Sequence, residues 1–246
     1  MMHQFNKKFL LISVENCTQY TELKLIEKFG GIYIYFLDRH ENIETILNGK
    51  KYIQYLNNFL IIIPEDYEMQ ASLWRDFYTY YGNMYEELID IKMNLHCIET
   101  LYNHIKNNYA VSPTTSILDY GCGSGLSSGI ILDCKLIGYE PNDIMRMQST
   151  RKGLETLNYQ QFCSLPNRCF DYVISSYVFH MGLKEIDIDL LISKVKNNGV
   201  IVANFYKDIN RNYVSELYSR KGFSVNEVKG CCERFGCVYE YRKKER

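Results

Sequence analysis

Ser116-Ile117-Leu118-Asp119-Tyr120 is an apolar run that closes on a carboxylate, and Gly121-Cys122-Gly123-Ser124-Gly125 follows it directly. Glycines at alternate positions let the backbone turn through conformations closed to other residues, and they leave no Cβ in the way of a ligand. A strand that runs into such a bend predicts a nucleotide-like ligand at the carboxyl edge of a parallel sheet. The residues exclude two common occupants of that edge. A dinucleotide fingerprint needs a glycine or alanine three places after Gly123, where this chain has Leu126. Asp119 would also repel a pyrophosphate by on the order of several kcal/mol at low effective dielectric. No lysine follows the glycines, so the GxxxxGK[ST] phosphate loop fails as well. An acid beside a glycine bend suits a ligand that is cationic where it meets the loop.

S-adenosylmethionine, with its sulfonium and ammonium groups, has that character. Ile117 to Gly125 resembles the first motif of the class I S-adenosylmethionine-dependent methyltransferases. Leu136-Ile137-Gly138-Tyr139-Glu140 resembles their second strand, Phe170-Asp171-Tyr172-Val173-Ile174-Ser175-Ser176 the fourth, and Asn198-Gly199-Val200-Ile201-Val202-Ala203 the fifth. In order and spacing the resemblance covers residues 70 to 246. It implies an α/β fold, a Rossmann-like doubly wound seven-stranded sheet with an antiparallel last strand. It implies S-adenosyl-L-methionine as cofactor and S-adenosyl-L-homocysteine as product. Asp119, Gly121, Cys122, Gly123 and Gly125 would meet the methionine portion, Glu140 the ribose hydroxyls and Pro141 the adenine. Relatives carry an acid just before a Leu-Pro pair to read the adenine amine. Here Ser164 stands in that place, before Leu165-Pro166. Ser175, Ser176, Tyr177 and His180 follow the fourth strand, where the family faces the transferring methyl.

The first 68 residues match no family by their motifs and read as a small α/β lobe. Apolar runs at 9–15, 32–38 and 58–64 predict strands. Tyr20, Leu23, Leu25, Ile26 and Phe29 fall at near-helical spacing before Gly30-Gly31, and 41–47 predicts a second helix. Pro64-Glu65-Asp66 marks a seam, which sets domains at 1–68 and 69–246. Residues 72–107 are helical in pattern, with a break at Gly82. Strands then alternate with helical segments through Ala203, 210–221 forms one more helix, and Phe223–Val228 pairs antiparallel with Cys237–Tyr241. An aromatic stripe, Trp74, Phe77, Tyr78, Tyr80, Tyr81 and Tyr85, reads mainly as core. Tyr81 or Tyr85 is expected to reach the cofactor carboxylate.

A net charge of −1 supplies no positive field to recruit nucleic acid or an anionic membrane. Nine cysteines without CxxC spacing read as reduced thiols, with Cys231, Cys232 and Cys237 included. No metal site is expected. No apolar run has membrane-spanning length, so a cytoplasmic protein is expected, with a homodimer as one assembly open to it. His180, with Tyr177 beside it, is the candidate general base, because neutral imidazole is abundant near pH 7. His96 and His104 read as structural, and His3 and His40 as surface residues. A base favours a hydroxyl acceptor, so O-methylation of a sugar, sugar nucleotide or natural product is the expected reaction. N-methylation of a small amine, peptide or protein is the alternative, and a non-catalytic S-adenosylmethionine-binding regulator is a third reading.

Overall fold

The computed structural model describes residues 8–14, 23–38, 46–47, 49–56, 59–228 and 236–244. His3, His40, Cys231, Cys232 and residues 41–45 of the expected second helix lie outside them; 46–47 are helical. The chain divides into two compact units, 1–90 and 91–246, so the expected boundary at 68/69 falls inside the first.

The first unit is a mixed sheet of strands β1 (Lys8–Ser13), β2 (Leu23–Phe29), β3 (Ile32–Asp38), β4 (Lys51–Gln54) and β5 (Phe59–Ile63), in the order β2-β3-β1-β5-β4. The segment expected to be a helix over 20–29 is a strand where it is described. The register slips between Leu25 and Glu27, and this bulge breaks the two-residue alternation that marks a strand. Gly30, at φ 55°, turns β2 back onto β3, and Gly31 N–H donates to Asp76 at 2.7 Å. A Cβ on Gly30 would lie 2.6 Å from that same carboxylate, so the turn admits glycine alone. Asp76 sits on helix α1 (Tyr67–Tyr81), which Asp66 caps and which buries Leu73, Trp74, Phe77 and Tyr81.

The second unit begins with helix α2 (Ile91–Asn108). Strands β6 (Ser116–Tyr120), β7 (Lys135–Tyr139), β8 (Thr156–Leu157), β9 (Phe170–Ser175), β10 (Val195–Asn204), β11 (Phe223–Glu227) and β12 (Val238–Lys243) form one sheet. Its order is β11-β12-β10-β9-β6-β7-β8. Pairing is parallel from β8 through β10, and β12 runs antiparallel to both neighbours. Helices α3 (Asp143–Arg151), α4 (Tyr159–Ser164), α5 (Glu185–Lys194) and α6 (Arg211–Arg220) complete the unit.

The central strands are apolar without interruption because both faces of the sheet are covered. Ile117, Ile174, Val200 and Val202 pack toward Ile98, Leu101 and Ile105 of α2. Their neighbours Leu118, Val173, Ile201 and Ala203 pack toward Ile188 and Leu191 of α5 and Val214 and Leu217 of α6. Each such fully buried Ile or Leu contributes roughly 1.5–3 kcal/mol. One crossover differs from the expected strand–helix alternation. Between β6 and β7 the chain makes only a 3₁₀ turn, Leu126–Gly129. Ser127, Ser128 and Gly129 are poor helix formers, and the Ser127 hydroxyl is committed to Asp119.

Candidate active site

At the carboxyl edge of the sheet, β6 and β7 end side by side, and the glycine loop bends over the join. Gly121 and Cys122 N–H both donate to Tyr139 O, at 2.8 and 3.0 Å. Gly121, Gly123 and Gly125 take φ of 77°, 55° and 81°, in the left-handed region that favours glycine. Space is as restrictive as angle. A Cβ on Gly121 would lie 2.4 Å from Val178, and one on Gly125 would lie 2.8 Å from the Ser149 backbone.

Glu140, the first residue past β7, locks onto this loop. Its Oε2 accepts from Gly123 N–H at 3.1 Å and its Oε1 from Asn142 N–H at 2.9 Å. Asn142 in turn caps α3, so the acid, the middle glycine and a helix start form one rigid corner. A carboxylate has about four lone-pair sites, so about two remain for hydroxyl donors. Pro141 is exposed beside it. Behind the loop, buried Asp119 accepts from Ser127 Oγ–H at 2.5 Å.

Both acids are held in a poorly solvated place. Burial raises Asp119 to about 6, against the lowering effect of the Ser127 bond. Burial raises Glu140 to about 7, although the Asn142 and Gly123 amides and Arg146 favour its charged form. Two buried acids with raised pKa values predict a ligand that brings positive charge or hydroxyl donors. Ser124 Oγ in the loop and Ser176 Oγ past β9 are buried without a hydrogen-bond partner among the described residues, so the cradle also offers polar atoms to such a ligand.

Cys122 contributes backbone only. Its thiol turns down onto β7, where a Cβ on Gly138 would meet it at 2.6 Å, and burial pushes its pKa far up.

The ends of β9 and β10 form the neighbouring wall. Ser175 Oγ–H donates to Tyr120 O at 2.9 Å and so clasps β9 to β6. Tyr177 stands at φ 58°, a strained conformation for a bulky residue. It is held there by Asn204, fully buried at the end of β10, whose Oδ1 accepts from Tyr177 N–H at 2.6 Å. Asn210, itself at φ 60°, donates from Nδ2 to His180 O at 2.8 Å. The rings of Tyr177, His180 and Tyr206 stand 6.0–6.5 Å apart. His180 is only 2% exposed, and desolvation lowers its pKa to about 3. Replacing Asn204 by Ala should lower the unfolding free energy by about 2 kcal/mol, because a buried N–H loses its acceptor and a strained tyrosine its restraint. Urea denaturation reads this directly, and a change below about 0.5 kcal/mol would remove Asn204 from that role.

Tyr81 belongs to the first unit, where it packs on Phe59 and Phe77. Two sequence-predicted residues of the second unit stand away from the cradle. Ser164 ends α4 and turns its hydroxyl back to Gln160 O. Lys194, the residue immediately before β10, donates to Cys163 O at 3.0 Å and Leu165 O at 2.6 Å. Ser164 and Leu165 therefore lie at the amino edge of the sheet, away from the cradle. The residue that leaves β8 at the carboxyl edge is Asn158, beside Glu140, whose N–H donates to Leu157 O at 3.0 Å. Asn158 caps α4 in a reciprocal box with Gln161. Its only sequence signal was the Asn-x-x-Gln spacing.

Parallel strands, a glycine loop at the switch between β6 and its neighbours, and an acid past β7 define a doubly wound ligand-binding protein. No family model matches the chain. The ribosomal protein L11 methyltransferase of Paraburkholderia phytofirmans is 31% identical over 117 residues, 45% of this chain; the chain spans 38% of that relative's length. Two solved structures share the fold, each with a TM-score of 0.51 and 14% identity. One is an S-adenosylmethionine-dependent methyltransferase of Thermotoga maritima, aligned over 68% of this chain and 98% of its own. The other is the methyltransferase solved in complex with the Trm112 methyltransferase activator of Haloferax volcanii, aligned over 70% of this chain and 98% of its own. The chain therefore shares the fold of S-adenosylmethionine-dependent methyltransferases.

Proposed function

We propose that the second unit binds S-adenosylmethionine in this cradle and transfers its methyl group to a small-molecule acceptor held against the loops past β9 and β10. The observation that carries the reading is the Glu140 carboxylate pinned to Gly123 N–H with lone pairs to spare, and buried Asp119 behind the same loop. Glu140 suits two vicinal ribose hydroxyls, and the left-handed glycines allow close backbone approach to the methionine portion. Asn158 and Pro141 flank the position of the base. Bound there, the cofactor supplies an electrophilic methyl group. The protein aligns the acceptor in line with it and excludes water, for which a buried, fastened wall of Tyr177 and His180 is suited.

His180 bears on the choice of acceptor. A hydroxyl needs a base in the transition state, and an imidazole whose pKa is near 3 accepts a proton poorly. This favours an amine that arrives with its lone pair free over the hydroxyl of a sugar, sugar nucleotide or natural product. The curated relative is named for methylating a ribosomal protein, so a protein acceptor joins the panel.

The test is calorimetry with S-adenosylhomocysteine, followed by its release from S-adenosylmethionine over amines, hydroxyl compounds and ribosomal protein. Stoichiometric binding with release on an amine is the expected result. No binding by folded protein would overturn the reading, and release on hydroxyl compounds alone would overturn the amine preference.

A further inference from the structure

Arg146 lies in the first turn of α3, six residues past Glu140. Its Nη1 donates to Glu140 O at 3.0 Å and to Pro141 O at 3.4 Å, and its Nη2 pairs with Asp143. The side chain is 19% exposed, so the fork is largely packed against the strand end it grips. Nη1 alone bonds the two consecutive carbonyls while Nη2 is tied to Asp143, so the planar guanidinium holds the Glu140–Pro141 peptide from an anchored position, which a flexible ammonium does less well. That peptide carries the Glu140 side chain on one side and Pro141 on the other.

We propose that Arg146 is a positioning residue for the donor site: it fixes the orientation of the Glu140 carboxylate, and its charge holds that carboxylate ionised. The inference rests on the donor-binding reading above. Several groups act on that ionisation: burial and, less strongly, Asp119 on β6 oppose it, while the Asn142 and Gly123 amides and, after them, Arg146 favour it. Cys122 in the loop and Tyr139 on β7 also face the acid, but burial raises both, so they stay neutral through the neutral range. Asp143 is paired with Arg146 itself. With Glu140 titrating at about 7 in the cofactor-free protein, loss of the guanidinium moves its titration further upward.

The experiment is calorimetric affinity for S-adenosylhomocysteine from pH 5.5 to 9.5 in wild type, Arg146→Met and Arg146→Lys. Wild-type affinity should rise with pH through about 7, since hydroxyl donors favour the charged acid. In Arg146→Met the midpoint should move up by about one unit and affinity at pH 7 should fall about tenfold. Arg146→Lys should restore the midpoint while affinity at pH 9 stays below wild type, which separates the charge from the fork. A Met variant with wild-type affinity and midpoint would overturn the inference. So would a uniform loss of affinity without a shift of midpoint, which marks a merely structural role. If wild type binds at no pH, the donor reading fails first, and the variants are not what sank it. Should Arg146→Met fail to fold, the Lys variant still decides the positioning half.

Discussion

Glu140→Ala should weaken S-adenosylhomocysteine binding by about 100-fold, equivalent to about 3 kcal/mol. Two charge-assisted hydrogen bonds from vicinal hydroxyls are lost, each worth roughly 1.5–3 kcal/mol before the released groups rehydrate. A second effect adds to the first. Gly123 N–H and Asn142 N–H lose their acceptors, so the loop and the α3 cap are both loosened in the empty protein. Glu140→Gln separates the two, because an amide oxygen can still take one of those N–H groups while its NH₂ end cannot accept from a ribose hydroxyl. The Gln variant should therefore keep most of the thermal stability and still lose at least about tenfold in affinity. If Glu140→Ala is folded and binds within about threefold of wild type, the ribose role of Glu140 is wrong.

Much of this cradle was legible because its parts are one-dimensional. Ile117–Gly125 shows a buried strand and glycines where only glycine can turn, and all three glycines have positive φ. Glu140 and strands β9 and β10 follow from apolar runs buried on both faces, although β10 begins at Val195, three residues before the expected Asn198. The failures share a physical origin too. β2 carries a bulge that replaced alternation with a pseudo-helical spacing, and its Leu25 and Ile26 are exposed, so hydrophobicity misled about both period and burial. β8 is only two residues long, below what periodicity can register. The Leu165-Pro166 anchor therefore points to Ser164, a helix length from the strand exit at Asn158.

Residues that act across the sheet left still less trace. Nothing in Ser176-Tyr177-Val178 announces a tyrosine at φ 58°, and nothing in Ala203-Asn204 announces the amide that holds it. Strain of this kind is set by two strands meeting in space, not by either alone. His180 was found by its place after β9, but its chemistry depends on burial, which lowers rather than preserves its basicity.

Asp119→Asn should make the cofactor-free protein more stable at pH 8, by up to about 3 kcal/mol. Burial raises the folded-state pKa of Asp119 from 3.8 to about 6, roughly two units, each worth about 1.4 kcal/mol. The sign follows from proton uptake. Because the folded state holds its proton more tightly than the unfolded chain, the benefit of protonation is complete below pH 4 and is lost as pH rises through 6. Glu140, raised from 4.5 to about 7, adds a loss of the same sign between those values. Wild-type stability should therefore fall steadily from pH 4 to 8. The Asn side chain keeps an oxygen for the Ser127 hydroxyl, carries no charge to desolvate, and leaves only the Glu140 share of that slope. Urea unfolding should show the two proteins nearly equal at pH 4 and separated at pH 8. In binding the order should reverse: the variant should lose more affinity for cationic S-adenosylmethionine than for S-adenosylhomocysteine, whose sulfur is neutral. Equal stability at pH 8 would mean that Asp119 is not a buried charge in the empty loop, and equal losses for both ligands would mean that it is not a counter-charge to the sulfonium.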